Sequence, residues 1–495
     1  MQSAYQAALR SWSIPPAATF ALLLAALVYL RGWINLRRAG FTDLPPWRVM
    51  MFLGGLFSLW IALASPLDTF SGFVLTAHML QHMLLMMVAP PLILLGAPLI
   101  PIVRGLPRFA AREFAGPFLN WPPANRIGSA LTNPVCALLL MGVVTFAWHT
   151  PKLYELALGS SSWHEVEHAC FFLSSIIFWW PVVQPWPSRA QWPRWAMVPY
   201  LFIADLQNTV LSAILVFSDR VLYPSYALTP RLFGLSAQQD QAASGAVMWV
   251  LGGFAYVVPA IIIAVQCLSA RPQRRRIAPI RNKPAEEPRS LRGKFPLLTD
   301  FLRPRISSRA VEAVWFVIVF AITGLCFSFL ITTSSDDDDQ ALRLWKQIGS
   351  FSVAVFAPPG DLEAGPTSFG VLVQDRNAED VLLDSTVDVS ARPDSPAGGP
   401  SSPTRANRED SENKLLQTAE LDLPAPGDWT VNIALRRDSE SANLSLPLRV
   451  VKRETGLADL WLYFLFPGFG MILFGTYIWR HHEPTASPLE QHASF

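Results

Sequence analysis

GFVLTAHMLQHMLLMMVAPPLILLGAPLI, residues 72–100, is an apolar run carrying two histidines, and its reading decides the fold. A bilayer is crossed by a helix of about 20 apolar residues, which this stretch exceeds. Pro90, Pro91, Gly96 and Pro98 predict a helix to about Met87 and then a kinked or broken continuation, because proline lacks the amide hydrogen and collides with the preceding turn.

Outward from it, comparable runs lie at residues 16–34, 48–65, 134–149, 163–183, 197–217, 242–268, 310–332 and 459–479. With 51% hydrophobic and 15% charged residues among 495, the chain is too apolar for a soluble protein of this length. The first run has only Arg10 before it and Arg31, Arg37 and Arg38 behind, the reverse of a secretory signal, so a retained membrane helix is expected.

The net charge of +2 conceals blocks. Arg31, Arg37, Arg38 and Arg48 fall between the first and second runs, and Arg104, Arg108, Arg112 and Arg126 between the third and fourth. Arg189 and Arg194 follow the fifth, and a dense series from Arg271 to Lys294 follows the seventh. These loops belong inside by the positive-inside rule, so the N-terminus is expected outside and the C-terminus in the cytoplasm of a bacterial plasma membrane.

Between the last two runs, SFSVAVFA, TSFGVLVQ, VLLDSTVDVS and DWTVNIALR alternate with a period of two and are separated by Gly, Pro and Asp. They predict a small β-sandwich outside the membrane. The expected architecture is an all-α polytopic bundle of about nine transmembrane helices with an all-β sandwich-like domain between the last two. Its parts are a membrane domain at 1–270, a basic cytoplasmic linker at 271–309, a helix at 310–332, the β domain at 333–458, a closing helix at 459–480 and a cytoplasmic tail at 481–495. Residues 391–413 are polar and rich in Pro and Gly and read as a disordered loop. Asp336 to Asp339 read as a solvated linker, and the four cysteines form neither a disulfide framework nor a CxxC site.

Five of the eight histidines sit in membrane runs: His78 and His82, His149, and His164 and His168. Each pair is spaced i, i+4, which sets both imidazoles on one helix face. The third and fifth runs enter from outside and the fourth exits there, so all five fall within roughly 15 Å of the outer surface at ~1.5 Å per residue. Ionisable groups at one depth in a membrane mark a functional site, and imidazole with the neighbouring thioethers of Met79 and Met83 suits copper. Asp240 opens the seventh run at the same level and is expected to orient or ligate. Asp205 is expected in a mid-membrane hydrogen-bond network, Glu165 and Glu167 at the interface, and Trp179, Trp180, Trp186 and Trp192 in an aromatic belt.

AHMLQHMLLMMVAPPLILLGAP, WHEVEHACFFLSSIIFWW, and LYPSY followed by DQAASGAVMW together resemble the CtaG-type cytochrome c oxidase assembly proteins, over about residues 15–270. The resemblance implies a seven-helix membrane domain that helps mature a haem-copper oxidase, with copper as cargo, His78, His82, His164, His168 and Asp240 at the site, and His149 beside them. The β domain and closing helix resemble YtkA or FixH-like modules in strand pattern, but residues 333–458 hold no His or Met, which favours docking over copper binding. Expected partners are oxidase subunits or their assembly intermediates, a periplasmic copper chaperone and the lipid bilayer, with no nucleic acid. No nucleophile–base pair or phosphate-binding loop indicates an enzyme. Two other readings stay open: a haem-binding cytochrome, since imidazoles from two helices hold haem, and a copper transporter, for which Asp205, Gln207 and Asn208 are the polar groups below the histidines.

Overall fold

The computed structural model describes residues 4–269 except 189, and 341–452 except 359–361, 377–379, 395–402 and 410. The expected eighth and ninth spans, the basic linker, Asp336 to Asp339, Cys326 and the tail with His481, His482 and His492 lie outside the described residues. Cys136, Cys170 and Cys267 are free thiols.

The membrane domain is built on α1 (Pro16–Arg38), α2 (Pro46–Ala64), α3 (Leu75–Leu95), α4 (Pro134–Trp148), α5 (Ser161–Val183), α6 (Met197–Phe217) and α7 (Ala237–Ser269). Among the described residues, six helices are long and apolar enough to cross a membrane, all of these but α4. The fourth run supplies only a 15-residue helix, joined to the helix before it through a 70° bend; counting that bent pair as one span gives seven. The expected count of nine is therefore not supported. Several helices start on proline at their first position, as at Pro16, Pro46 and Pro134, where the missing N–H costs nothing. The faces turned outward are apolar, as with Phe202, Leu206, Val210 and Ile214 on α6 and Phe254, Val258, Ile261 and Val265 on α7. That surface fits lipid and not water.

α3 is the irregular element. It is α-helical over Leu75–Met83, π-helical over Leu84–Val88 and α-helical again over Ala89–Leu95. Pro90 has no N–H for the Met86 carbonyl four residues before it, and that carbonyl instead accepts from Trp179 Nε1 of α5 at 3.0 Å. The expected break after Met87 thus takes the form of a widened turn, and the chain fully leaves the helix only at Gly96. The following short helix, Leu99–Gly105, crosses α1 at backbone contact: a Cβ at Gly105 would lie 1.8 Å from the Val28 carbonyl oxygen, and one at Gly32 1.7 Å from that of Pro101. Only glycine permits this crossing.

The β domain has two sheets. One is ordered β1 (Ala341–Ile348), β2 (Phe351–Ala357), β4 (Gly365–Asp375), β7 (Gln417–Leu423); the other is β3 (Leu362–Glu363), β9 (Glu440–Val451), β8 (Gly427–Arg437), β5 (Thr386–Pro393), β6 (Thr404–Arg405). All pairs are antiparallel except β3 with β9. The expected disordered loop at 391–413 does not hold for all of its described residues. Ala391 is buried in β5, Thr404–Arg405 form β6, and Ser411 and Asn413 are buried, so strand pairing recruits residues whose composition alone gives no sign of it.

β2 is buried at every position because it is covered on both faces. Val353 and Val355 face the sandwich core, while Ala354 and Phe356, pointing the other way, pack with Phe70, Leu232 and the N-terminal Ala7 and Ala8 of the membrane domain. Phe73 meets Phe356 with ring centroids 5.2 Å apart, Gln374 Nε2 donates to the Arg231 carbonyl at 2.6 Å, and Lys414 N donates to Ser11 Oγ at 2.9 Å. The sandwich therefore rests on the end of the bundle where α3 begins.

Candidate metal centre

The i, i+4 pairs on α3 and α5 face each other. Ring centroids are 4.2 Å apart for His78 and His82, 4.1 Å for His164 and His168, and 5.1 Å for His78 and His164 across the two helices. The ligating nitrogens of all four lie within 4.8 Å of one another. A tetrahedral ion with nitrogens at about 2.0–2.1 Å needs them about 3.3 Å apart, so contraction of the widest separation by up to about 1.5 Å closes the shell. His78 and His82 are fully buried and His168 nearly so.

A fifth group completes the cluster. Glu167 is 0% exposed, its Oε2 is 3.8 Å from His78 Nε2 and 4.0 Å from His82 Nε2, and neither carboxylate oxygen has a hydrogen-bond partner. This overturns the interfacial expectation for Glu167. Glu167 is three residues after His164 and shares its helix face, which turns it toward α3. Glu165 is exposed, as expected for an interfacial residue.

The groups behind the imidazoles set their protonation. The Tyr226 hydroxyl donates to the Ser71 carbonyl at 2.6 Å and lies 3.2 Å from His78 Nδ1 and 3.4 Å from the Tyr154 hydroxyl. Burial pushes the Tyr154, Tyr223 and Tyr226 phenols above their ordinary range, so each keeps its one proton. With the Tyr226 proton committed to a carbonyl, its oxygen accepts from His78 Nδ1–H, which leaves the lone pair on Nε2, the atom facing Glu167. Nε2 has no hydrogen-bond partner. Tyr226 lies in the LYPSY stretch, whose place in the site no spacing rule discloses.

Asp240 is near the centre but occupied otherwise. Its carboxylate accepts from Leu75 N at 2.6 Å, Thr76 N at 3.0 Å and Thr76 Oγ1 at 2.6 Å. The residue preceding α3 is Val74, which has no capping side chain, so α7 supplies the cap from a distance and fixes the angle at which α3 enters. His149 is not among the four clustered rings. Its Nδ1 bonds the Thr145 carbonyl at 2.7 Å, leaving Nε2 unpartnered, and with His82 it borders a cavity that Met79 and Met83 also line. Asp205 carries no hydrogen-bond network: its Oδ1 is buried without a partner, and Asn208 makes the interhelical bond instead, to the Met248 carbonyl at 3.1 Å.

A bundle of apolar helices holding four imidazoles and a carboxylate at one point defines a class, the polytopic membrane proteins with a buried histidine–carboxylate cluster. The sequence model of the family described as cytochrome c oxidase caa3 assembly factor (Caa3_CtaG) matches residues 27–270, which contain the whole cluster. The chain is also similar to three uncharacterized mycobacterial proteins. It is 26% identical to one from Mycobacterium leprae over 251 residues, 50% of this chain and 37% of that protein, and 25% identical to one from Mycobacterium bovis over 266 residues, 51% and 38%. One from Mycobacterium tuberculosis matches to the same extent as the latter. The matched region thus spans little more than a third of these relatives. No solved structure matches.

Proposed function

We propose that this protein is a membrane assembly factor for a haem-copper cytochrome c oxidase, holding copper as cargo at the centre formed by His78, His82, His164, His168 and Glu167. The family match supports the oxidase connection. The carrying observation for a metal is Glu167, a carboxylate with no exposure and no hydrogen bond, set 3.8 and 4.0 Å from the Nε2 atoms of His78 and His82. Burying an unpaired charge costs several kcal/mol, and a cation at the centre offsets that cost. Imidazole and carboxylate together suit copper, and the adjoining thioethers of Met79 and Met83 favour it further.

The protein acts by binding and release without turnover. In the orientation given by the basic loops, the site lies toward the outer side of a bacterial plasma membrane, where a copper chaperone would load it and oxidase subunits would unload it. The β domain, in this reading a YtkA- or FixH-like docking module, sits over that end. Haem fits less well, because the rings pack closely, with His78 and His164 5.1 Å apart and Phe171 4.7 Å from His82. Metal analysis and visible absorbance of the detergent-purified protein test this, beside the His78→Ala/His82→Ala variant. Copper that is present without a Soret band and lost in the variant supports the reading; a Soret band, or copper unchanged in the variant, overturns it.

A further inference from the structure

Beside the histidine cluster, bordered by His82 and His149, is a small cavity with room for one water-sized guest or small ion. Six of the eleven methionines line it: Met79, Met83, Met86 and Met87 from α3, Met141 from α4 and Met248 from α7. Methionine in a core is ordinarily filler that moulds itself to gaps. Six flexible side chains from three helices that surround a void instead of closing it are not behaving as filler.

The backbone is arranged to bring them there. Met79, Met83, Met86 and Met87 recur at i, i+4, i+7 and i+8, the spacing of one helix face. That face keeps to the same cavity through the π-helical turn Leu84–Val88, where Trp179 bonds the Met86 carbonyl. The Met141 sulfur already accepts from the Ser174 and Ser175 hydroxyls at 3.6 and 3.5 Å, which makes it the least available of the six as a donor. His82 belongs to both the cavity and the cluster, and the methionines of α3 span nine residues, about 12 Å of helix.

We infer that this cavity is a second metal site, a thioether bed for a singly charged soft ion, Cu(I), joined through His82 to the histidine centre. Thioethers are neutral and soft and select Cu(I). The cost of taking an ion out of water rises with the square of its charge, so a bed without carboxylates accepts one charge far more readily than two. The centre with Glu167, by contrast, compensates a higher charge. The identity of the metal rests on the copper reading of the histidine centre, whereas the existence of the thioether site does not.

The test uses the full chain labelled with selenomethionine and loaded with Cu(I) without oxygen, with copper counted and X-ray absorption recorded at the copper and selenium edges. The selenium label separates methionine from cysteine as the ligand. Two copper ions per chain and copper–selenium scattering are expected. The Met86→Leu/Met87→Leu/Met248→Leu variant, which conserves volume and costs little in packing, is expected to lose one equivalent and that scattering; Met248→Leu alone is expected to weaken both and serves if the triple variant does not fold. The His78→Ala/His164→Ala variant is expected to lose the other equivalent and keep the copper–selenium path. Absence of copper–selenium scattering in the parent, or its persistence at full strength in a folded leucine variant, overturns the thioether site. If instead the histidine variant keeps both equivalents while selenium scattering remains, the histidine centre falls and the thioether site stands.

Discussion

Replacing Glu167 by glutamine should move apo stability and metal affinity in opposite directions. An ion held by His78 and His82 lies within about 4 Å of the Glu167 carboxylate, given Oε2 separations of 3.8 and 4.0 Å from their Nε2 atoms. One unit charge pair at that distance is worth ~4 kcal/mol at an effective dielectric of 20. If relaxation of the site removes half, about 2 kcal/mol remains, some thirtyfold in Kd for a singly charged ion and more for a doubly charged one. The metal-free protein loses nothing comparable, because neither carboxylate oxygen is hydrogen-bonded and a neutral amide is cheaper to bury than a charge. Competition against a chelator of known copper affinity, alongside thermal unfolding of the apo protein in detergent, reads both quantities. The Glu167→Gln protein should bind copper at least thirtyfold more weakly with an apo Tm equal to or above the parent's. Unchanged affinity in a folded variant would refute the assignment of Glu167 to the centre, and a lowered apo Tm would show that the carboxylate is structurally satisfied.

Tyr226→Phe should strand the Ser71 carbonyl and His78 Nδ1–H, at about 1–3 kcal/mol each, and weaken copper binding about 10- to 100-fold; the same chelator competition measures it. Asp240→Ala should cost about 2–4 kcal/mol by removing the cap of α3, seen as a lower apo Tm, whereas direct ligation by Asp240 would instead change the metal's spectrum. Gly105→Ala should cost about 3 kcal/mol or more, since its methyl would overlap the Val28 carbonyl backbone, and should sharply reduce the monodisperse yield in size-exclusion chromatography. Gly54→Ala, at a glycine with open space around its Cβ, should leave that yield intact.

The membrane helices were legible because apolarity over twenty residues answers to one physical demand, and the two histidine pairs because i, i+4 spacing puts side chains on one face. The meeting of His78 and His82 with His164 and His168 was foreshadowed by depth alone, and required only that α3 and α5 pack together. Other features depend on partners far along the chain. Glu167 shares its face with His164, yet its burial is set by α3. Asp240 bonds a helix start 164 or 165 residues away, and Tyr226 reaches His78 from 148 residues away. Asp205 and Asn208 are three residues apart on α6, and composition gives no reason why the amide makes the helix contact and the acid does not. In the β domain, SFSVAVFA was legible as an alternating strand, but the burial of its second face depends on Phe70, Leu232, Ala7 and Ala8 of the membrane domain, which the strand pattern does not disclose.

The widened turn at Leu84–Val88 uses one residue more than an α-helix would over the same rise, with Ala89 N bonding back to Leu84 O. Seen as an insertion, it puts the histidine-bearing half of α3 and the proline-bearing half about 100° out of phase with a continuous helix. Deleting any one residue there would make the helix more regular and, by most local measures, better. It would also rotate one half against the other, so that α3 could no longer offer its histidines to α5 and its lower half to Trp179 and the packing around Gly96 at once. At this turn the site depends on the length of the chain as strictly as it depends elsewhere on the kind of residue.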